Sequence, residues 1–207
     1  MILNLFPTPV YFERETGYEF TQNEIDILDS IPMFEDNGKS LSTDVNILET
    51  YKLYRIRNFC QKHLDLYLKH NCKVEQEFYI HRSWLTKKEI SQNHQLHDHP
   101  NSIVSGIFYL HAPPDSGTLE FVNHENNFLN KRFDFTYDFT EFNHLNSTSC
   151  HLDVCNTSMV IFPSWLRHSV ANNRGNQSRV CIAFNAFVKD YFQTYVGWST
   201  KYDNSLI

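Results

Sequence analysis

The spacing of apolar and polar positions changes near residue 75. Before it, apolar residues recur at steps of three or four, the period of a helix. The segment "TQNEIDILDSIP" opens with Thr21 and Glu24 at capping-box spacing, carries Ile25, Leu28 and Ile31, and is stopped by Pro32, which predicts a short helix. Residues 33–41 read as a connection containing Gly and Ser. Residues 42–71 then place Leu53, Ile56, Cys60, Leu64 and Tyr67 on one stripe, the pattern of a long amphipathic helix laid across a sheet.

Beyond residue 75 the period is two. In "EFYIHRSWLT" (77–86), Phe78, Ile80 and Trp84 alternate with Tyr79, His81, Ser83 and Leu85, as along a strand. Further strands are predicted at 102–112, 117–123, 158–163 and 178–188, separated by turn-forming Asn, Gly, Pro and Asp. Helices followed by spaced strands predict a mainly β protein with N-terminal helices, a sandwich or jelly roll with a helical buttress. The expected organisation is one domain over 1–207: a helical buttress at 1–74, a jelly-roll core at 75–190 and a C-terminal tail at 191–207. Residues 124–156 are polar and Asn-rich, and a loop that long reads as a lid or substrate segment.

Composition narrows the function classes. Hydrophobic residues at 41%, with 17 Phe and 11 Tyr, exclude a disordered chain. A net charge of −6 provides no basic footprint, so nucleic acid is not an expected partner. Five cysteines without a CxxC pair suit reduced thiols in a reducing compartment. The opening "MILNLFPTPVYFERE" has no leading basic residues and contains Pro7 and Pro9, so neither a signal peptide nor a membrane span is expected. The expected location is the cytoplasm. No nucleophile elbow, Walker A loop or dinucleotide fingerprint occurs.

The candidate chemistry lies in the histidines. In "QLHDHPNSIVSGIFYL", His97 and His99 are two residues apart, so on an extended segment both imidazoles point to one side and can meet one metal ion. "FPSWLRHSVANN" supplies a third, His168. Three imidazoles with open positions suit Fe, Zn, Cu or Ni in a reactive centre. Asp98 is the alternative second ligand, although parity directs it away from His97. His144, Cys150, His151 and Cys155 form a second, weaker cluster whose spacing fits no zinc pattern.

The "HxH" before "SGIFYL", the following "SGTLEF", then "FPSWLRHSV" and "SRVCIAFNAF", together with the "FPTPVYF" opening, resemble the iron and 2-oxoglutarate-dependent oxygenases. The resemblance is to a bacterial and phage branch near the prolyl hydroxylases, for which a phage-encoded chain would work in the host cytoplasm. It implies a double-stranded β-helix, a cupin-like jelly roll with the metal at its mouth. It maps His97 and His168 onto the two histidine ligands and His99 onto the usual carboxylate position. Arg179, eleven residues after His168, maps onto the cation that holds the far carboxylate of 2-oxoglutarate, and Tyr109 onto a tyrosine that assists it. The cofactors implied are Fe(II), 2-oxoglutarate and O2, with hydroxylation of a C–H bond and release of succinate and CO2. Counting by twos from Arg179 puts Cys181, Ala183 and Asn185 on the barrel face, which makes Asn185 a candidate contact for substrate or co-substrate. Trp165 either walls the site or caps the core. The first-choice substrate is a prolyl or other side chain of a protein or peptide, with a small molecule open. The rivals are a three-histidine cupin-type dioxygenase without 2-oxoglutarate and a non-catalytic jelly-roll binding module.

Overall fold

In the computed structural model, residues 6–36, 39–122 and 138–189 are described. Strand β1 (Tyr11–Glu13) precedes helix α1 (Gln22–Ser30). Thr21 Oγ1 accepts the Glu24 N–H (3.2 Å) and the Glu24 carboxylate accepts the Thr21 N–H (2.8 Å), closing the capping box and satisfying donors the helix leaves free. Next come β2 (Met33–Asp36), β3 (Lys39–Ser42), α2 (Ile47–Thr50) and α3 (Tyr54–Asp65), which runs on as a π-helical turn, Leu66–Asn71. The strands that follow are β4 (Phe78–Lys88), β5 (His94–His97), β6 (Val104–His111), β7 (Leu119–Val122), β8 (Ser149–Leu152), β9 (Met159–Pro163), β10 (His168–Val170) and β11 (Arg179–Val188).

These strands form two antiparallel sheets, β1-β9-β6-β11-β4-β3-β2 and β5-β10-β7-β8. Their facing sides enclose the barrel interior: Ile107, Tyr109, Val160, Phe162 and Cys181 from the large sheet meet Leu119, Phe121 and Val170 from the small one. The large sheet's other side carries Phe108, Met159, Ile161, Ile182 and Phe184 against Ile56, Cys60 and Leu64 of α3. Its central strands are therefore buried on both faces, which is why β6, β9 and β11 read as nearly unbroken apolar runs. Each fully buried side chain of this kind stabilises the fold by about 1.5–3 kcal/mol. Gly106 is required by the packing, because a Cβ there would lie 2.1 Å from Phe184 Cζ. The arrangement is the expected jelly roll with its helical layer.

Several local expectations are corrected. Residues 33–41 are not a plain connection but most of the β2–β3 hairpin. Residues 42–71 are not one helix: Ser42 closes β3, the Asp44 carboxylate accepts the Asn46 N–H in a turn, and Lys52 at φ +53° separates α2 from α3. Along β4 the register with β11 slips, so that Asn185 pairs with Arg82 and Ala186 with Ile80, leaving His81 in a bulge. Ile80 and Leu85 consequently share the helix-facing core, while Trp84 turns to the other face and sits 5.6 Å from the His99 ring. Within 124–156, residues 149–152 form strand β8 against β7. Residues 124–137 and the proposed tail at 191–207 lie outside the described residues. Among the described residues no helix is long and apolar enough to cross a membrane.

Candidate metal centre

Strand order brings the three histidines together. β10 lies between β5 and β7, and His168 pairs directly with His97 on one side and Phe121 on the other. His99 follows β5, where its backbone N–H donates to the Ser164 carbonyl (3.0 Å) and anchors the turn to the end of β9. The ligand nitrogens of His97, His99 and His168 all fall within 4.8 Å of one another, and the Nε2 atoms of His97 and His99 are 3.4 Å apart. Asp98 is exposed and stands outside this group.

Each ring is fixed from behind through Nδ1. His97 Nδ1 faces the Gln95 carbonyl (2.8 Å), His168 Nδ1 the Leu166 carbonyl (3.1 Å), and His99 Nδ1 the side-chain oxygen of Asn185 (2.8 Å). A carbonyl oxygen only accepts, so Nδ1 carries the proton at His97 and His168 and Nε2 keeps its lone pair for a metal. Burial keeps the rings neutral. It lowers the His99 pKa to about 4, a fall partly opposed by the Asn185 bond, and that of His168 to about 3, with the neighbouring imidazoles adding to the fall. His97 is lowered by burial as well.

Arg179 and Tyr109 are both buried on the barrel face, with the guanidinium carbon 5.7 Å from the phenol ring centre. One guanidinium nitrogen of Arg179 donates to the Gly117 carbonyl (2.8 Å), while its Nε has no hydrogen-bond partner among the described residues. Gly117 can serve there because it adopts φ +95°, with the Ala171 carbonyl only 2.3 Å from where a Cβ would sit. Burial raises the Tyr109 pKa, so it remains a phenol. Trp165 lies just past β9 and is 62% exposed, so it caps no core. Cys150 and His151 are exposed on β8, and Cys155 Sγ donates to the Arg14 carbonyl; among the described residues they form no metal-binding group.

Two further residues beside the centre escaped the sequence reading. Lys88, opposite Arg179 in register, is almost wholly buried and donates to the Asn93 carbonyl (2.5 Å). His94 stacks on His97 with ring centres 4.1 Å apart, and its Nε2 is 2.8 Å from Lys39 Nζ. Lys88 was hidden in a strand whose phase is shifted by the bulge, and His94 offers no pattern of its own.

The donor set, three neutral imidazole nitrogens within 4.8 Å of one another, fits a divalent first-row metal. The partnerless Nε of a buried guanidinium calls for an anionic acceptor such as a carboxylate.

Fold and site together thus define a jelly roll with a cluster of three histidines suited to a metal ion and a buried guanidinium in its barrel. Residues 82–185 match the family described as "Putative 2OG-Fe(II) oxygenase", and the chain belongs to that family of 2-oxoglutarate-dependent enzymes, which use Fe(II), 2-oxoglutarate and O2. Solved structures with the same fold include an oxidoreductase of the 2OG-Fe(II) oxygenase family from Burkholderia pseudomallei, at TM-score 0.56 and 11% identity over 81% of this chain and 79% of that one. HygX from Streptomyces hygroscopicus, solved with nickel, 2-oxoglutarate and hygromycin B, has TM-score 0.56 and 12% identity over 86% and 82%. A Pseudomonas putida prolyl-4-hydroxylase has TM-score 0.51 and 12% identity over 88% and 92%. No curated protein matches the chain.

Proposed function

We propose that the chain is a hydroxylase with a three-histidine iron site, acting on a C–H bond of a prolyl or other side chain in a protein or peptide. The observation that carries this reading is the meeting of three imidazoles in a barrel that also holds a buried guanidinium with an unused donor. In this reading His97, His99 and His168 hold the iron, and Arg179 and Tyr109 hold the far carboxylate of 2-oxoglutarate. When bound, iron supplies oxidation of the C–H bond by O2, coupled to decarboxylation of 2-oxoglutarate to succinate and CO2.

The chain's own residues bind, orient and exclude water. Arg179 presents a planar fork that suits a carboxylate, and the protonated Tyr109 hydroxyl can donate a further bond. Leu119, Phe121, Phe162 and Val170 make the surrounding interior apolar, which strengthens both interactions. With His99 in place of a carboxylate, the protein ligands bring no negative charge to the metal, so the charge of 2-oxoglutarate counts for more in holding it. The exposed Trp165 indole offers an aromatic rim for substrate.

The likeness to a prolyl-4-hydroxylase supports a peptide substrate, although a shared fold does not itself fix one. A cupin-type dioxygenase would share the three nitrogens, but it gives the buried Arg179, whose Nε has no hydrogen-bond partner among the described residues, no task. The test is succinate release from 2-oxoglutarate by iron-loaded protein in air, with and without proline-containing peptides, followed by mass spectrometry for one added oxygen. Succinate formation that depends on Arg179 supports the reading. Iron-loaded protein that never consumes 2-oxoglutarate, with any peptide, contradicts it.

A further inference from the structure

Behind His99 lies a small polar cluster inside an otherwise apolar barrel. Ser105 on β6 is fully buried and pairs in register with Asn185 on β11, itself 8% exposed. His99 Nδ1 lies 2.8 Å from Asn185 Oδ1 and 2.7 Å from Ser105 Oγ. Ser105 Oγ lies 2.9 Å from Asn185 Oδ1 and 2.8 Å from the buried Ser164 Oγ.

The protons can be arranged so that His99 is ready to bind metal. The Nδ1–H is shared between Asn185 Oδ1 and Ser105 Oγ, the Ser105 hydroxyl donates to Asn185 Oδ1, and the Ser164 hydroxyl donates to Ser105 Oγ. In the opposite tautomer Nε2 would carry the proton, and the Asn185 amide would have to turn its NH2 toward a bare Nδ1. A carboxylate at position 99 would want donors behind it. Asn185 instead aims an acceptor at the side chain, which matches a protonated imidazole nitrogen.

We propose that Asn185, oriented by Ser105 and Ser164, is the positioning residue of His99, fixing its tautomer and ring plane so that Nε2 faces the metal. The role rests on His99 being a ligand and differs from contact with substrate. It makes the third histidine a built feature of the barrel, since Asn185 on β11 and Ser105 on β6 meet at its far nitrogen and Ser164, just past β9, braces Ser105.

The test uses metal-free full-length protein titrated with Co(II) alone, read by its visible bands and by competition with a chelator, with folding checked by circular dichroism. Asn185→Ala is expected to bind Co(II) about 10- to 100-fold more weakly, the usual effect of losing a group that orients a ligand. Asn185→Asp keeps an oxygen acceptor and is expected to bind at least as tightly as wild type. Asn185→Ala binding as tightly as wild type, or Asn185→Asp as weakly as the alanine variant, overturns the proposal. A second readout needs no variant: long-range 1H–15N spectra of the metal-free wild type are expected to show His99 protonated at Nδ1, and the Nε2–H form overturns the assignment. Wild-type protein that binds no Co(II) overturns the metal centre itself; tight wild-type binding with an indifferent alanine variant overturns only the role of Asn185.

Discussion

Replacing Arg179 by Met separates stability from co-substrate binding. Arg179 is 2% exposed, and among the described residues its guanidinium has one hydrogen bond, to Gly117, and leaves Nε without a partner. Keeping a charge there costs several kcal/mol of desolvation, and removing the Gly117 bond costs back about 1.5–3 kcal/mol. A Met of similar reach should therefore leave the metal-free protein as stable as wild type or up to about 2 kcal/mol more so. For a chain of this size that is a rise in Tm of up to roughly 8 °C. Binding should move the other way. Truncating the partner of a buried carboxylate costs about 2–5 kcal/mol, which is roughly 30- to 4,000-fold in Kd for 2-oxoglutarate. The assay is anaerobic thermal unfolding of the metal-loaded protein with and without 2-oxoglutarate. At a concentration 100 times the wild-type Kd, ligand binding adds about 2.7 kcal/mol to wild type and about 0.9 kcal/mol or less to the variant. A variant that binds 2-oxoglutarate within threefold of wild type refutes the reasoning.

Other consequences are open to measurement. Gly106→Ala forces a methyl into the Phe184 ring and should cost about 1–3 kcal/mol in urea unfolding, with part recovered when Phe184→Leu is added. Thr21→Ala removes the cap of α1 and should cost about 1 kcal/mol, with metal binding unchanged. The pH dependence follows from the lowered imidazole pKa values. Below the ordinary value near 6.5 the unfolded histidines take up protons that the folded His99 and His168 refuse, so the unfolded state gains. Metal-free protein should therefore lose stability as pH falls from about 6.5 to about 4, with metal affinity falling over the same range, and an unchanged Tm across it would contradict the burial argument.

The long strands were legible because burial on both faces leaves an unbroken apolar mark in β6, β9 and β11. Short strands were not. β5 and β10 span four and three residues, carry His97 and His168, and are defined by their pairing, β5 with β10 and β10 with both β5 and β7. The phase slip at His81 is likewise a property of the β4–β11 pair, so a reading of one strand put Ile80 and Trp84 on the same face. At the site, parity alone placed His97 and His99 together and turned Asn185 inward. That Asn185 reaches His99, and that Ser105 and Ser164 brace it, depends on three segments far apart in sequence meeting in space.

The most direct test of the central claim is anaerobic titration of Fe(II)-loaded protein with 2-oxoglutarate, following the weak visible charge-transfer band of the chelate in wild type, His99→Ala and Asp98→Ala. The account predicts the band in wild type and in Asp98→Ala and its loss in His99→Ala. No band in wild type despite bound iron, or a band that survives without His99 and vanishes without Asp98, would contradict it.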